Sequence, residues 1–155
     1  MSVSFASLPR RHLPALTPEN AFFWTSGEHG ELRFIRCTEC GFHVHPPLPI
    51  CPHCQSRDVH PETVSGRATV VSFTINRQVW EPGLEDPYVV ALVEIEEQPS
   101  VRLTTNIVNC PVDAVHIGMQ VRVLFDHRED VWLPLFEPLC AAPTTPLSPT
   151  DVEKP

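Results

Sequence analysis

Four cysteines in two closely spaced pairs constrain this chain more than any other feature. Cys37 and Cys40 form the first pair and Cys51 and Cys54 the second, each with two residues between the cysteines. In such a knuckle the backbone amides turn both thiolates toward one point, and two knuckles supply a tetrahedral four-sulfur shell. We therefore predict a structural Zn²⁺ bound by these four cysteines.

A closed shell of four thiolates also restricts where function can lie. The segment between the pairs, residues 41–50, is shorter than the usual spacer of about 15–20 residues but long enough for a small hairpin. Four protein ligands leave no coordination position for a substrate or an activated water. We expect the metal to hold structure and the function to depend on other parts of the chain.

Two alternatives to zinc use the same thiols. Two disulfides are possible, but paired knuckles are more typical of a metal site in an intracellular chain. Iron in a rubredoxin-like site is the second alternative. Gly41 follows the first pair, but Gln55 follows the second, where iron knuckles usually carry a small residue. This favours zinc, while the spacing alone leaves iron open.

Four histidines lie near the two pairs, at His43, His45, His53 and His60. Histidine is a common zinc ligand, but all four ligand positions already have a suitable thiol. We expect these histidines to be solvent-facing or hairpin side chains.

Composition and charge exclude several classes of function. The 155 residues suffice for one domain or two small ones, and 42% of them are hydrophobic. No stretch reaches the 18 or more apolar residues that a membrane span needs, and residues 1–16 lack the apolar core of a secretion signal. We predict a cytoplasmic protein. A formal net charge of −8 argues against nucleic acid as a partner, because binding to phosphates depends on Lys and Arg.

The sequence predicts a short helix near the N-terminus. Thr17 is a suitable N-cap, Pro18 suits the first helical position, and Glu19 complements the positive end of the helix. Large apolar side chains follow on more than one face, at Phe22, Phe23 and Trp24. These aromatics either pack on their own domain or contact a partner chain, and the sequence leaves both interpretations open.

Most of the remaining chain predicts β-strands. A short strand at 32–36 leads into the first cysteine pair, and five longer segments alternate apolar and polar residues at 67–79, 88–96, 101–108, 121–127 and 131–136. In the first of these five, Val71, Phe73 and Ile75 are expected to share one face. A short helix is predicted at 111–117. Five strands with a helix after the third are typical of an OB-fold, a small Greek-key barrel.

These observations predict a mainly β chain with an N-terminal helix, a rubredoxin-like zinc ribbon and a five-stranded OB-fold barrel. The tail from Ala141 onward is mostly Pro, Thr, Ser and charged residues, a composition that favours disorder. The predicted layout is a flexible N-terminus at 1–16, the helix at 17–30, the ribbon at 31–64, the OB-fold at 65–139 and a disordered Pro-rich tail at 140–155.

The combination of helix, ribbon and barrel resembles a known family. The residues that carry the resemblance are Asn20-Ala21-Phe22-Phe23-Trp24, Gly30-Glu31-Leu32, Arg36-Cys37-Thr38-Glu39-Cys40-Gly41, Pro46-Pro47, Cys51-Pro52-His53-Cys54 and Ser65-Gly66-Arg67-Ala68-Thr69-Val70. They match small zinc-ribbon/OB-fold proteins that are catalogued as a domain of unknown function and associated with acyl-CoA metabolism. The match runs from about Pro14 to Pro138. Gln55 departs from it, because relatives often have glycine there.

The resemblance implies a non-catalytic subunit. Family members look like companions of thiolase-superfamily enzymes: thiolases, acyltransferases and the lipid-transfer-protein-like aldolases that shorten steroid side chains. The partner supplies the reactive groups, while the small subunit stabilises it and helps to form the acyl-CoA site. Two other functions remain as alternatives, a nucleic-acid-binding OB-fold module and a rubredoxin-like electron carrier.

The residues themselves predict no catalytic set, because no nucleophile elbow, Gly-rich phosphate loop or metalloprotease helix motif occurs. Arg77 and Trp80 are candidates for contact with acyl-CoA or a partner chain, since arginine pairs with phosphates and an exposed tryptophan packs on adenine or protein. Arg67 is a weaker candidate. Each arginine could instead cover the apolar barrel wall with its stem.

Overall fold

The computed structural model describes residues 13–80 and 86–139. The described residues contain one α-helix, α1 (Ala21–Thr25), and two 3₁₀ helices, Ser26–His29 and Val112–Ala114. Eight strands complete them: β1 (Leu32–Cys37), β2 (His43–Val44), β3 (Val59–Val64), β4 (Arg67–Asn76), β5 (Tyr88–Ile95), β6 (Arg102–Ile107), β7 (Gln120–Arg128) and β8 (Val131–Pro138). The flexible N-terminus and the disordered tail predicted at 1–16 and 140–155 lie outside the described residues, except for residues 13–16.

The first three strands form an antiparallel sheet in the order β2-β1-β3, and this sheet carries the cysteine pairs. The sequence predicted β1 but missed β3. Pro61 lies within β3 opposite Ile35, and the segment is mostly polar, so it lacks the pattern of a strand. Pro61 is tolerated because β3 is an edge strand of this sheet, where a missing backbone N–H breaks no ladder.

The other five strands form a closed barrel in the order β4-β5-β6-β8-β7, which confirms the predicted OB-fold. All neighbours are antiparallel except β6 and β8, which run parallel and pair at Ile107 and Phe136. The alternation in β5 is the clearest, because Val89, Ala91, Val93 and Ile95 are all buried. Closure of the barrel buries one face of every strand, which is the physical cause of the alternation.

Strand β4 contains a β-bulge that the sequence pattern did not predict. Its register with β5 shifts between Val70 and Ser72, so Val71 is the extra residue. Before the bulge Ala68 and Val70 are buried, and after it Phe73 packs against the core. The prediction that Val71 shares a face with Phe73 is therefore wrong. Before the bulge the even-numbered residues of β4 face the core, and after it the odd-numbered residues do.

The N-terminal helix is shorter than predicted. Residues 18–20 form turns, and α1 begins only at Ala21. Thr17 contributes its backbone carbonyl, which accepts hydrogen bonds from the Asn20 and Ala21 amides, rather than a side-chain cap. The predicted second helix likewise shrinks to the single 3₁₀ turn Val112–Ala114. Among the described residues, no helix is both long and apolar enough to cross a bilayer.

The N-terminal helices lie against the barrel strands β7 and β8. Gly27 permits the close approach, because a Cβ there would lie 2.4 Å from Trp132 Cβ and 2.5 Å from Phe125 Cδ1. The helices also contact β1 of the ribbon. They therefore fill the corner between the ribbon and the barrel.

Candidate metal centre and binding surface

The four predicted cysteine ligands converge on one point. The sulfurs of Cys37 and Cys54 are 3.5 Å apart, those of Cys40 and Cys51 are 3.6 Å apart, and all four lie within 4.8 Å of one another. Tetrahedral coordination with Zn–S bonds of about 2.3 Å separates the sulfurs by about 3.8 Å. The donor set and its spacing fit a Zn²⁺ ion held by four thiolates.

Both cysteine pairs have the same backbone geometry. In the first, the Gly41 amide donates to the Cys37 carbonyl, and in the second, the Gln55 amide donates to the Cys51 carbonyl. Gly41 has φ 71° and Gln55 has φ 64°, so each turn ends in the left-handed region. The backbone at position 55 therefore favours a residue without a Cβ, such as the glycine that follows the first pair.

The electrostatic surroundings favour the thiolate form of one ligand. Cys37 and Cys51 are fully buried, whereas Cys40 and Cys54 are exposed. Burial raises the pKa of the Cys51 thiol, but hydrogen bonds from the backbone of Cys54 and His53 and from neighbouring thiols lower it, and the net pKa is about 7. A thiol that ionises near neutrality is suited to bind a metal cation.

The four nearby histidines lie outside the sulfur cluster, which among the described residues contains only cysteines. His53 stacks on Phe42 with ring centroids 5.4 Å apart, and His60 contacts Asp58 Oδ1 at 2.6 Å. His43 is buried in β2. His45 packs between two aromatic rings. These side chains contact other side chains of the ribbon, and His45 also contacts Phe23 of α1.

The three aromatics of α1 have different surroundings. Phe23 is 2% exposed and belongs to the hydrophobic core, with its ring 5.9 Å from that of Phe34. Phe22 and Trp24 are half-buried and pack against the same core. Packing within the chain thus accounts for Phe23, whereas Phe22 and Trp24 keep surface that a partner could contact.

The three candidate contact residues lie at two different ends of β4. Arg67 begins the strand and is exposed, directly opposite Arg122 of β7. Arg77 follows the other end and forms an ion pair with Asp113 at 2.6 Å. Trp80 is 72% exposed, and its Nε1 donates to Asn76 Oδ1 at 2.8 Å. The structure therefore brings Arg77 and Trp80 to one end and separates them from Arg67.

Two surface features were not predicted from the sequence. An apolar groove with a volume of about 350 Å³ lies where β6 and β8 diverge, next to Trp24, Leu103 and Leu133. The loop between the cysteine pairs exposes Leu48 and Ile50. The groove has no sequence signal, because it arises from strands that are distant in the chain. The exposed loop could have been predicted from Leu48, because this apolar residue lies between two prolines.

A four-sulfur ribbon joined to an OB barrel defines the class of this protein, and comparison with known proteins agrees. Residues 24–60 match the domain described as "ChsH2, rubredoxin-like zinc ribbon domain". Residues 61–126 match "ChsH2, C-terminal OB-fold domain". The ribbon match and the clustered cysteines together support a structural Zn²⁺ as the cofactor.

A solved structure, "Ltp2-ChsH2(DUF35) aldolase", contains a chain that is 37% identical, with a TM-score of 0.73, covering 81% of this chain and 98% of that one. The protein therefore belongs to the DUF35 family of zinc-ribbon/OB-fold proteins, as the sequence resemblance indicated.

Two curated relatives are hydratase subunits by name. The "Probable enoyl-CoA hydratase alpha subunit" of Thermomonospora curvata is 38% identical over 131 residues, which is 83% of this chain and 40% of the relative. The "3-oxo-4,17-pregnadiene-20-carboxyl-CoA hydratase alpha subunit" of Mycobacterium tuberculosis is 35% identical over 125 residues, which is 81% of this chain and 39% of the relative. This chain thus spans about two fifths of the length of either relative.

Proposed function

We propose that this protein is a non-catalytic, zinc-binding subunit of a heteromeric complex whose partner is a thiolase-superfamily enzyme acting on acyl-CoA. The observation that carries the proposal is the similarity to the DUF35 chain of an aldolase complex, which extends over nearly the whole of that chain. The partner would supply the reactive groups. This chain would stabilise the partner and help to form the acyl-CoA site.

The chemistry of the metal centre supports a structural role. Four cysteine sulfurs surround the point where the ion would lie, so coordination is complete without substrate. The ion would then act as a cross-link between the two cysteine pairs. Bound zinc contributes folding free energy to small domains of this kind.

Exposed apolar side chains support a docking role. Trp80 and Val79 are 72% and 47% exposed in the connection that follows β4. A tryptophan that remains this exposed in the isolated chain is the type of residue that often dominates the energy of an interface. We assign Trp80 to the contact with the partner or its acyl-CoA.

The two candidate arginines differ in how free they are to bind phosphate. Arg77 is already paired with Asp113, which partly neutralises it. Arg67 forms no ion pair with a described residue and lies beside Arg122 on the adjacent strand β7. Of the two, Arg67 is the better candidate for a CoA phosphate, because its guanidinium is not already paired with a carboxylate of a described residue, whereas Arg77 and the neighbouring Arg122 both are.

The most specific part of the proposal concerns the acyl group and the kind of partner enzyme. One relative is named as a hydratase subunit for a steroid-derived CoA ester, and the solved complex is an aldolase. Both names are compatible with a partner that shortens a steroid side chain, and an aldolase is our first choice over a thiolase.

The test is co-expression with an Ltp2-type aldolase, followed by size-exclusion chromatography and an assay of acyl-CoA cleavage. We expect one stable complex and loss of activity when this chain is omitted. Trp80→Ala should weaken assembly by about tenfold or more, whereas Gln78→Ala, an exposed change in the same loop, should leave it unaltered. A partner that is soluble and fully active alone would contradict the proposal.

A hydratase is a second candidate partner, because both hydratase relatives carry a segment similar to this chain within a longer subunit. Affinity capture from the native cells with mass spectrometry distinguishes the two. Recovery of a thiolase-fold chain supports the aldolase or thiolase proposal, whereas recovery of a hydratase chain favours the second candidate.

A further inference from the structure

A single glutamine connects the zinc ribbon to the barrel. Gln98 belongs to the turn between β5 and β6, and its Oε1 accepts a hydrogen bond from the His43 backbone amide at 2.8 Å. Its Nε2 donates to the His43 carbonyl oxygen at 3.2 Å and to Ser100 Oγ at 2.8 Å. We call the pair of bonds between Gln98 and His43 the Gln98 clamp.

The clamp completes the open edge of a very short strand. β2 has only two residues and pairs with β1 through Ile35–Val44 and Arg36–His43. The Gln98 amide occupies the place of a neighbouring strand for His43, since it satisfies both the donor and the acceptor of that residue. Ser100 Oγ accepts a hydrogen bond from the second N–H of the Gln98 side-chain amide and so orients that amide.

The ribbon is therefore held at both edges of its sheet. β3, at one edge, continues into barrel strand β4 through Ser65 and Gly66. Glu97 from the same β5–β6 turn accepts a hydrogen bond from the Ser65 amide at 2.5 Å. β2, at the opposite edge, has the Gln98 clamp. The β5–β6 turn of the barrel is thus hydrogen-bonded to the ribbon at two points, one on each side of β1.

The position of β2 also depends on the metal centre. β2 lies between the two cysteine pairs, three residues after Cys40 and seven before Cys51. When the four sulfurs close around zinc, both ends of this segment are fixed. Without the metal, the segment keeps its pairing with β1, the packing of Val44 and His45 and the Gln98 clamp, but it loses the restraint at the cysteine pairs.

We infer that the Gln98 clamp couples zinc binding in the ribbon to the order of the β5–β6 turn of the barrel. Gln98 is a positioning residue for the metal centre: it holds β2 where the cysteine pairs can close, and closure in turn holds the clamp together. By linkage, each event stabilises the other by the same factor. The inference concerns this chain alone and does not depend on the partner proposed above.

The test measures the zinc affinity of the full chain by competition with a chromophoric chelator. Gln98→Ala removes both bonds, so we expect zinc to bind roughly five- to thirtyfold more weakly. Ser100→Ala removes only the orienting acceptor and should have a smaller effect in the same direction. Gln78→Ala is the matched control at the far end of the barrel, and it should bind zinc as the wild type does.

A second measurement follows the coupling in the other direction. Hydrogen exchange of the wild-type protein should become faster at residues 96–101 when zinc is removed, although these residues are remote in sequence from the cysteines. If Gln98→Ala does not yield folded protein, Gln98→Glu takes its place, because it loses the donor to the His43 carbonyl and should also weaken zinc binding. Wild-type zinc affinity in the Gln98 variant, or unchanged exchange at 96–101, would overturn the inference.

Discussion

His45 shows how one partly buried side chain makes stability depend on pH. Its ring lies 5.0 Å from the ring of Phe23 in α1 and 5.0 Å from that of Phe34 in β1. Its Nδ1 is buried and has no hydrogen-bond partner among the described residues. Burial lowers the pKa of His45 to about 4, because the charged imidazolium is disfavoured in these surroundings.

We predict that the protein loses stability as the pH falls from about 6.5 toward 4. The unfolded chain takes up a proton at His45 near pH 6.5, whereas the folded chain resists protonation until about pH 4. Between pH 7 and pH 5 the free energy of unfolding should fall by about 2 kcal/mol from this residue alone. Urea unfolding of the zinc-loaded protein at both pH values measures it.

The control for that prediction is His45→Phe, which keeps a ring between Phe23 and Phe34 but cannot be protonated. Protonation of the cysteine ligands affects both proteins alike, so the difference between them isolates the histidine. Equal losses of stability in the wild type and the variant would show that His45 does not contribute.

At the scale of the elements, the helices near the N-terminus and the barrel depend on one close approach. The 3₁₀ helix that contains Gly27 packs on β7 and β8, where Phe125 and Trp132 leave no room for a Cβ. A side chain at this position must push the helix away from the barrel. The same helices contact the ribbon, so such a shift would also disturb the corner between the two parts.

Gly27→Ala should therefore lower the free energy of unfolding by about 2 kcal/mol or more, through overpacking against Trp132 and Phe125. Glu28→Ala, at the exposed neighbouring position, should change it by less than about 0.5 kcal/mol. Thermal and chemical unfolding of both variants measures the difference. If the two variants are equally stable, the close approach is not rigid.

At the scale of the whole molecule, the ribbon and the barrel are stabilised differently. The barrel buries a large apolar core. Four of its residues are 0% exposed: Val70, Val93, Val121 and Phe136. The ribbon sheet shares part of this core through β1 and β3, but its edge strand β2 has two residues and lies between the two cysteine pairs. Metal removal should therefore act first on the ribbon.

Chelation of the metal should make the ribbon sensitive to protease while the barrel strands stay resistant. We expect faster tryptic cleavage after Arg33, Arg36 and Arg57 in the metal-free protein, with Arg102 and Arg122 still protected by their strands. Mass spectrometry of the fragments gives the order of cleavage. Equal resistance to protease with and without metal would contradict a stabilising role of the metal.

The metal itself can be identified before chelation. A colourless protein with one zinc per chain is expected, whereas a red one would indicate iron.

The sequence alone determined the metal ligands and most of the barrel strands. The cysteine pairs are local patterns, because each turn closes through hydrogen bonds between residues four apart, such as Gly41 to Cys37. The alternation in β5 is equally local, since successive side chains of a strand point to opposite faces. Such features need no knowledge of what the strand pairs with.

Only the tertiary structure decided the remaining features, because they depend on contacts between residues distant in the chain. Strand β3 exists because β1 pairs with it despite Pro61, and the bulge at Val71 follows from the closure of β4 on β5. The burial of His45 requires α1 and β1 on either side of it. The Gln98 clamp joins residues 55 positions apart, a separation at which no periodicity or spacing rule can indicate a contact.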